Sequence, residues 1–143
     1  MNGYFITFEG SEGCGKTTQI KALAKAFNAM GKTAVVTREP GGTLIGEKIR
    51  NLLQDPSYEN EISDMTELLL FSASRSELIA SCIQPALDRG EIVICDRFYD
   101  STYVYQGLGR AIDINTVKKL NQITVGTLKP DLTILLDLDA ATG

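Results

Sequence analysis

The sequence predicts an α/β protein, a parallel β-sheet with helices on both faces in a three-layer α/β/α arrangement. Three observations carry this. Short apolar, β-rich runs alternate with stretches whose apolar residues recur at three- and four-residue spacing. A glycine-rich loop joins the first strand pattern to the first helix pattern. Later strand patterns end in aspartate, at the sheet edge where such folds place their ligands. The 143 residues suit a single domain spanning 1–143.

Tyr4-Phe5-Ile6-Thr7-Phe8 is the first strand. Ile20, Leu23, Ala24, Phe27 and Met30 mark the first helix, which Gly31 stops. Ala34 to Thr37 is the second strand, followed by the breaker cluster Pro40-Gly41-Gly42. Ile45, Ile49, Leu52 and Leu53 mark a second helix, closed by Asp55-Pro56-Ser57. Ser63 to Leu87 reads as a long helical region with Met65, Leu68, Leu69 and Ser72 on one face. Pro85 should kink or divide it, having no N–H to donate. After Gly90 comes the third strand, Ile92-Val93-Ile94-Cys95. Asn115 is expected to cap a helix carrying Val117, Leu120 and Thr124. Leu132 to Leu138, the fourth strand, is apolar enough to be central. Gly143 follows within a turn, where a doubly wound sheet would continue with a helix, so the expectation is a C-terminally truncated domain.

Hydrophobic residues at 43% and charged ones at 22% exclude a disordered or collagen-like chain. A net charge of −4 leaves no surplus of cations for a broad nucleic-acid footprint, and no nucleic-acid partner is expected. With no histidine, imidazole catalysis and His-based zinc sites are ruled out in these residues. Cys14, Cys82 and Cys95 form neither a CxxC pair nor a disulfide framework, which fits a reducing cytosol. Nothing approaches the ~18 consecutive apolar residues of a membrane span. The expectation is a cytoplasmic protein with no membrane partner.

Gly10-Ser11-Glu12-Gly13-Cys14-Gly15-Lys16-Thr17 fits GxxxxGK[ST] at every fixed position, between a strand and a helix. A chance match in a chain of this length is of order 1 in 200 at ordinary residue usage. The glycines let successive backbone N–H groups turn toward phosphate oxygens, and the helix N-terminus adds partial positive charge. Lys16 brings a full charge to the β- and γ-phosphates, and the Thr17 hydroxyl can ligate Mg²⁺. This is the phosphate loop of a P-loop NTPase fold, so a nucleoside triphosphate is the expected ligand. No Asn-Lys pair occurs, which disfavours the guanine reader of switch GTPases.

Asp96 ends the third strand and Arg97 follows it. A carboxylate there can hold the Mg²⁺ shell, and a planar, permanently charged fork beside it suits phosphoryl transfer. Asp137, after Ile134-Leu135-Leu136, offers the same pattern without the arginine. Phe71 and Arg75, four apart, share a helix face and can stack a base and bond its edge; a core phenylalanine beside a solvated arginine is the competing reading.

Glu9 to Thr18, Thr37-Arg38-Glu39-Pro40-Gly41-Gly42-Thr43, Phe71-Ser72-Ala73-Ser74-Arg75, Asp96-Arg97-Phe98, Tyr105-Gln106-Gly107 and Pro130-Asp131-Leu132-Thr133 together closely resemble bacterial thymidylate kinases. The likeness runs collinearly from Phe5 to Asp139. It implies transfer of the γ-phosphoryl of ATP to dTMP, with Mg²⁺, in a homodimer. By the same resemblance Phe71 would stack on thymine, Arg75 would contact its O4 edge, and Thr102 and Gln106 would approach the base. Tyr105 would crowd the sugar 2′ position, and Glu12 would face the 3′-hydroxyl. Arg97, with Arg50 and Arg38, would hold the monophosphate beside Glu39. Asp96 and Thr17 would organise the metal. The P-loop carries Glu12 where some members have a basic residue. The lid that supplies arginines in others would follow Asp139, so it, the adenine-contacting loop and a C-terminal helix are expected beyond Gly143. Another P-loop nucleotide or deoxynucleoside kinase, or a nucleotide-binding chain without turnover, are the alternatives.

Overall fold

The structure, a computed structural model, describes residues 3–58 and 61–137. Aromatic and β-branched residues in Tyr4–Gly10 (β1) and Ile92–Asp96 (β3) suit a pleated, two-sided environment, and these strands form the centre of the sheet. Ala34–Arg38 (β2) and Leu132–Leu136 (β4) complete the order β2-β3-β1-β4, all parallel. Register pairs Phe5 with Val93, Phe8 with Ile134 and Thr37 with Cys95.

Period-two alternation divides the core between the two faces. Ile6, Phe8 and Ile94 pack on Ile20 and Ala24 of Lys16–Ala29 (α1). Phe5, Val93 and Cys95 pack on the opposite side against Leu78, Ile83, Ala86 and Val125. Those come from Asp64–Leu78 (α3), the π-turn Ile79–Ile83, Gln84–Asp88 (α4) and Ile114–Val125 (α6). The expected three layers are therefore present. Leu44–Gln54 (α2) packs beside α3.

Pro85 divides the long helical region as expected. The N–H of Gln84 reaches back five residues to the Ile79 carbonyl, and the chain restarts as α4 with Pro85 in its first turn. Three expectations need correction. The cap of α6 is Asp113, which accepts from the Thr116 N–H at 3.0 Å, while Asn115 lies inside the helix. On α3 the buried face runs through Leu68, Ser72 and Arg75, with Met65 and Leu69 exposed; the Ser72 hydroxyl is satisfied by the Leu68 carbonyl at 2.8 Å, and Arg75 reaches a cavity. Strand β4 is at an edge, pairing only with β1 among the described residues; Ile134 and Leu136 meet the α1 side while Leu132 and Leu135 stay exposed. Leu138 falls outside the described residues.

Between β3 and α6 the sequence carries no helical or strand periodicity. The chain there forms Tyr99–Thr102 (α5) and a π-helical turn, Tyr103–Leu108. The strand order reverses between β3 and β1, so the C-terminal ends of these two strands flank a crevice, where α/β sheets bind ligands.

Candidate active site

Two cavities open at that crevice. The smaller, about 450 Å³, is walled by Gly13, Gly15, Lys16 and Thr17 on one side and by Arg38 and Asp96 on the other. Gly10 begins the loop at φ 143°, where a Cβ would lie 2.6 Å from the Leu136 carbonyl oxygen of β4. Gly15, at φ 89°, turns the chain into α1. Both positions favour a residue without a Cβ. Lys16 is buried, and its Nζ donates to the Gly10 and Ser11 carbonyls at 2.9 and 2.6 Å. Gly10, Ser11 and Cys14 are outside the cavity wall; they shape the loop and hold the lysine.

Asp96 and Arg38 reach this cavity by strand parity, since both alternate onto the α1 face of the sheet with Ile94. The Asp96 Oδ1 is buried and unpartnered among the described residues. An orphaned carboxylate oxygen facing a phosphate loop and the Thr17 hydroxyl is a donor set that fits Mg²⁺. Among the described residues no group of three acidic, cysteine or histidine side chains could hold a metal alone. The remaining ligands would have to come from phosphate and water. Asp137 lines neither cavity.

The larger cavity, about 850 Å³, is lined by Phe71, Arg75, Thr102, Tyr105 and Gln106 together with Arg50 and Arg97. Arg75 is no solvated surface residue: it is 1% exposed. Its Nε donates to both Glu39 oxygens at 3.1 and 2.8 Å, Nη1 to Asn121 Oδ1 at 2.7 Å and Nη2 to Thr102 Oγ1 at 2.5 Å. An arginine so anchored loses little further freedom when it meets a ligand. Burial raises the Glu39 carboxyl from 4.5 to about 7, against the pull of Arg75.

Arg97 stands at φ 68°, the left-handed region, a strain of order 1–3 kcal/mol for a side chain with a Cβ. Its N–H donates to the Phe8 carbonyl at 2.8 Å, and its carbonyl accepts from Cys95 Sγ at 3.0 Å. Nη1 donates to Ser101 Oγ and Tyr105 Oη at 3.3 and 3.2 Å, and the guanidinium lies 5.2 Å from the Tyr105 ring centroid. Glu9 props this turn, accepting from the Phe98 N–H at 2.9 Å and the Ser101 hydroxyl at 2.6 Å. Burial raises the Glu9 carboxyl above its ordinary value.

Glu12, Glu39, Arg50 and Arg97 line both cavities, so the two spaces meet there. Arg50 is steadied by donating to the Pro40 carbonyl at 3.0 Å. Arg38 lines the smaller cavity alone and pairs with half-buried Glu47 at 2.9 Å. Sequence reasoning gave no role to Glu9, Ser101 or Asn121, nor to Glu67 and Arg110 in the larger cavity's wall. For Glu9 a signal existed, since it shares the parity of Phe5 and Thr7.

A phosphate loop between β1 and α1 of a parallel sheet, with an arginine-lined chamber opening onto it, places the protein in the P-loop NTPase class. The family model for thymidylate kinase matches residues 8–143. The thymidylate kinase of Dehalococcoides mccartyi is 58% identical over 135 residues, covering 94% of this chain and 64% of its own. That of Geobacter sulfurreducens is 52% identical over 141 residues, covering 99% and 66%. The crystal structure of thymidylate kinase from Ehrlichia chaffeensis superposes with a TM-score of 0.88 at 42% identity, covering 99% of this chain and 79% of that one. The chain belongs to the thymidylate kinase family. It spans just under two thirds of the length of these two curated relatives.

Proposed function

We propose that the protein phosphorylates dTMP with ATP, giving dTDP and ADP, with the smaller cavity taking the triphosphate and the larger one the monophosphate. One observation carries this reading: the two cavities meet at Glu12, Glu39, Arg50 and Arg97, so donor and acceptor phosphates would face each other across a wall holding two guanidiniums. Two polyanions repel, and bringing them within attack distance is the main obstacle. Lys16 from the loop and Arg97 and Arg50 from the far side supply opposing charge from separate directions. The acceptor oxygen of dTMP is already ionised, so its attack on the γ-phosphorus needs no general base, and the β–γ bridging oxygen leaves with ADP.

In this reading Thr17 and Asp96 would hold Mg²⁺, which would supply positive charge against the transferred group. Arg97, with Arg50 beside it, holds the monophosphate; Arg38 lines only the smaller cavity and would reach the monophosphate from that side. Phe71 stacks on the thymine, Arg75 donates to its O4, and Thr102 and Gln106 complete the base end. Tyr105, fixed by Arg97, crowds the sugar 2′ position, and Glu12 faces the 3′-hydroxyl. The pre-set Arg75 supports this end as a base reader. A neutral nucleoside would not call for the cations at the other end, which weighs against a deoxynucleoside kinase.

We further read the chain as one domain over 1–143, cytoplasmic, and a homodimer; no helix among the described residues is long and apolar enough to cross a membrane. Ile45 and Leu52 on α2 and Met65 and Leu69 on α3 are exposed apolar side chains on neighbouring helices, a surface suited to a second copy. A coupled ADP-release assay across nucleoside monophosphates tests the activity, with dTMP expected as the best acceptor. Equal or better turnover of UMP or AMP would refute it. Calorimetric binding of both nucleotides without ADP formation would select binding alone.

A further inference from the structure

Glu67, Phe71 and Arg75 stand at i, i+4 and i+8 on α3, so one helix face presents all three to the larger cavity. Phe71 and Arg75 have a place in the reading above; Glu67 has none. Its Oε1 accepts from Gln106 Nε2 at 2.9 Å, and its Oε2 accepts from Arg110 Nη2 at 3.0 Å. Both carboxylate oxygens are therefore engaged: Oε1 by Gln106 of the π-helical turn and, at 3.4 Å, by the Arg110 Nε, and Oε2 by Arg110 alone. Gln106 is 3% exposed, yet it lines the cavity.

The chemistry of this contact settles which way the Gln106 amide is turned. A carboxylate paired with an arginine only accepts, so it must meet the NH₂ of Gln106 and would repel its carbonyl. The Gln106 Oε1 is thereby left available, and among the described residues nothing donates to it. Arg75, which lines the same cavity, offers only N–H groups. The base end thus carries an acceptor from Gln106 beside donors from Arg75.

We propose that Glu67 is a positioning residue for base selection, holding Gln106 so that the cavity reads a ring N–H next to a ring carbonyl. This rests on the dTMP reading. Thymine and uracil present N3–H beside O4, complementary to that pair. Cytosine presents an unprotonated N3 beside an amino group, opposed at both points. Glu67 touches no reacting atom; it acts through Gln106.

The test is calorimetric titration of the full chain with dTMP, dUMP and dCMP, using wild type and Glu67→Gln. The introduced amide can donate to the Gln106 Oε1, so the acceptor is no longer reserved for the base. Glu67→Gln is expected to weaken dTMP roughly tenfold and to narrow the dTMP-over-dCMP preference by about the same factor, with ATP affinity unchanged. Glu67→Asp, which keeps acceptor-only chemistry, should retain more of the preference than Glu67→Gln. Arg110→Gln, which frees Glu67 without removing it, should shift the preference in the same direction by about two- to threefold. It carries the test should Glu67→Gln fail to fold. A preference that stays unchanged while both pyrimidine nucleotides weaken together would make Glu67 merely structural and overturn the proposal. Wild-type chain that binds dTMP no better than dCMP would instead bring down the dTMP reading, and this inference with it.

Discussion

Arg75 illustrates how a single residue changes meaning between chain and fold. Its spacing from Phe71 put both on one helix face, but spacing could not reveal that the guanidinium is buried among Glu39, Thr102 and Asn121. The Asn121 oxygen must face this donor, which leaves its Nδ2 buried and unpartnered, a cost that a purely structural core would avoid. Glu39 carries a testable consequence. Its carboxyl is raised from 4.5 to about 7 in the folded state, so between those values the folded chain binds more protons than the unfolded one. Stability from this group is therefore lost as pH rises from about 4.5 to about 7 and is level above that. Urea unfolding should show a falling midpoint across that window, and Glu39→Gln should lessen the fall, Glu9 adding a contribution of the same sign. On the proposed reading, Arg97→Ala should weaken dTMP binding about 10- to 100-fold, the loss of a charged hydrogen-bonding partner, and weaken ATP binding by a smaller factor, since Arg97 also lines the smaller cavity. Calorimetry with each nucleotide separately makes that comparison.

At the scale of elements, local chemistry explains most boundaries. Thr43 and Ser63 cap α2 and α3 by accepting from the Gly46 and Thr66 N–H groups at 2.9 and 3.3 Å. Thr43→Ala should cost about 1 kcal/mol in chemical denaturation. Asp113→Ala should lower the unfolding midpoint while Asn115→Ala leaves it nearly unchanged, separating the cap found in the structure from the one expected in the sequence. The π-helical turn 103–108 left no periodic signature, because its i to i+5 bonds break the 3.6-residue repeat that sequence reading relies on. The Gly109 N–H to Val104 carbonyl bond of 3.0 Å marks it. That turn carries Tyr105 and Gln106, which only the family resemblance had picked out.

Across the whole molecule, the sheet acts as a sorting device. Strand parity sends Asp96 and Arg38 to the α1 side, beside the phosphate loop, and Glu9 to the side of the larger cavity. The junction of the two cavities is thus a property of the strand order, which brings β1 and β3 together. The exposed apolar side chains of α2 and α3 give the homodimer reading its own test. Leu69→Asp together with Ile45→Asp should shift the chain from dimer to monomer in sedimentation equilibrium while leaving the far-UV circular dichroism unchanged. A wild-type chain that sediments as a monomer at every concentration would count against that reading.

The sequence by itself determined the parallel α/β/α plan, the phosphate loop and the division at Pro85, because each rests on periodicity or on a motif whose residues are neighbours along the chain. It did not determine that β4 pairs with β1 alone among the described residues, nor that Glu39 meets Arg75 36 positions away and Arg75 meets Asn121 46 away. Those pairings leave no trace in local spacing. They arise only when packed layers bring distant side chains into a space that excludes water, where an unpaired charge would be too costly to keep.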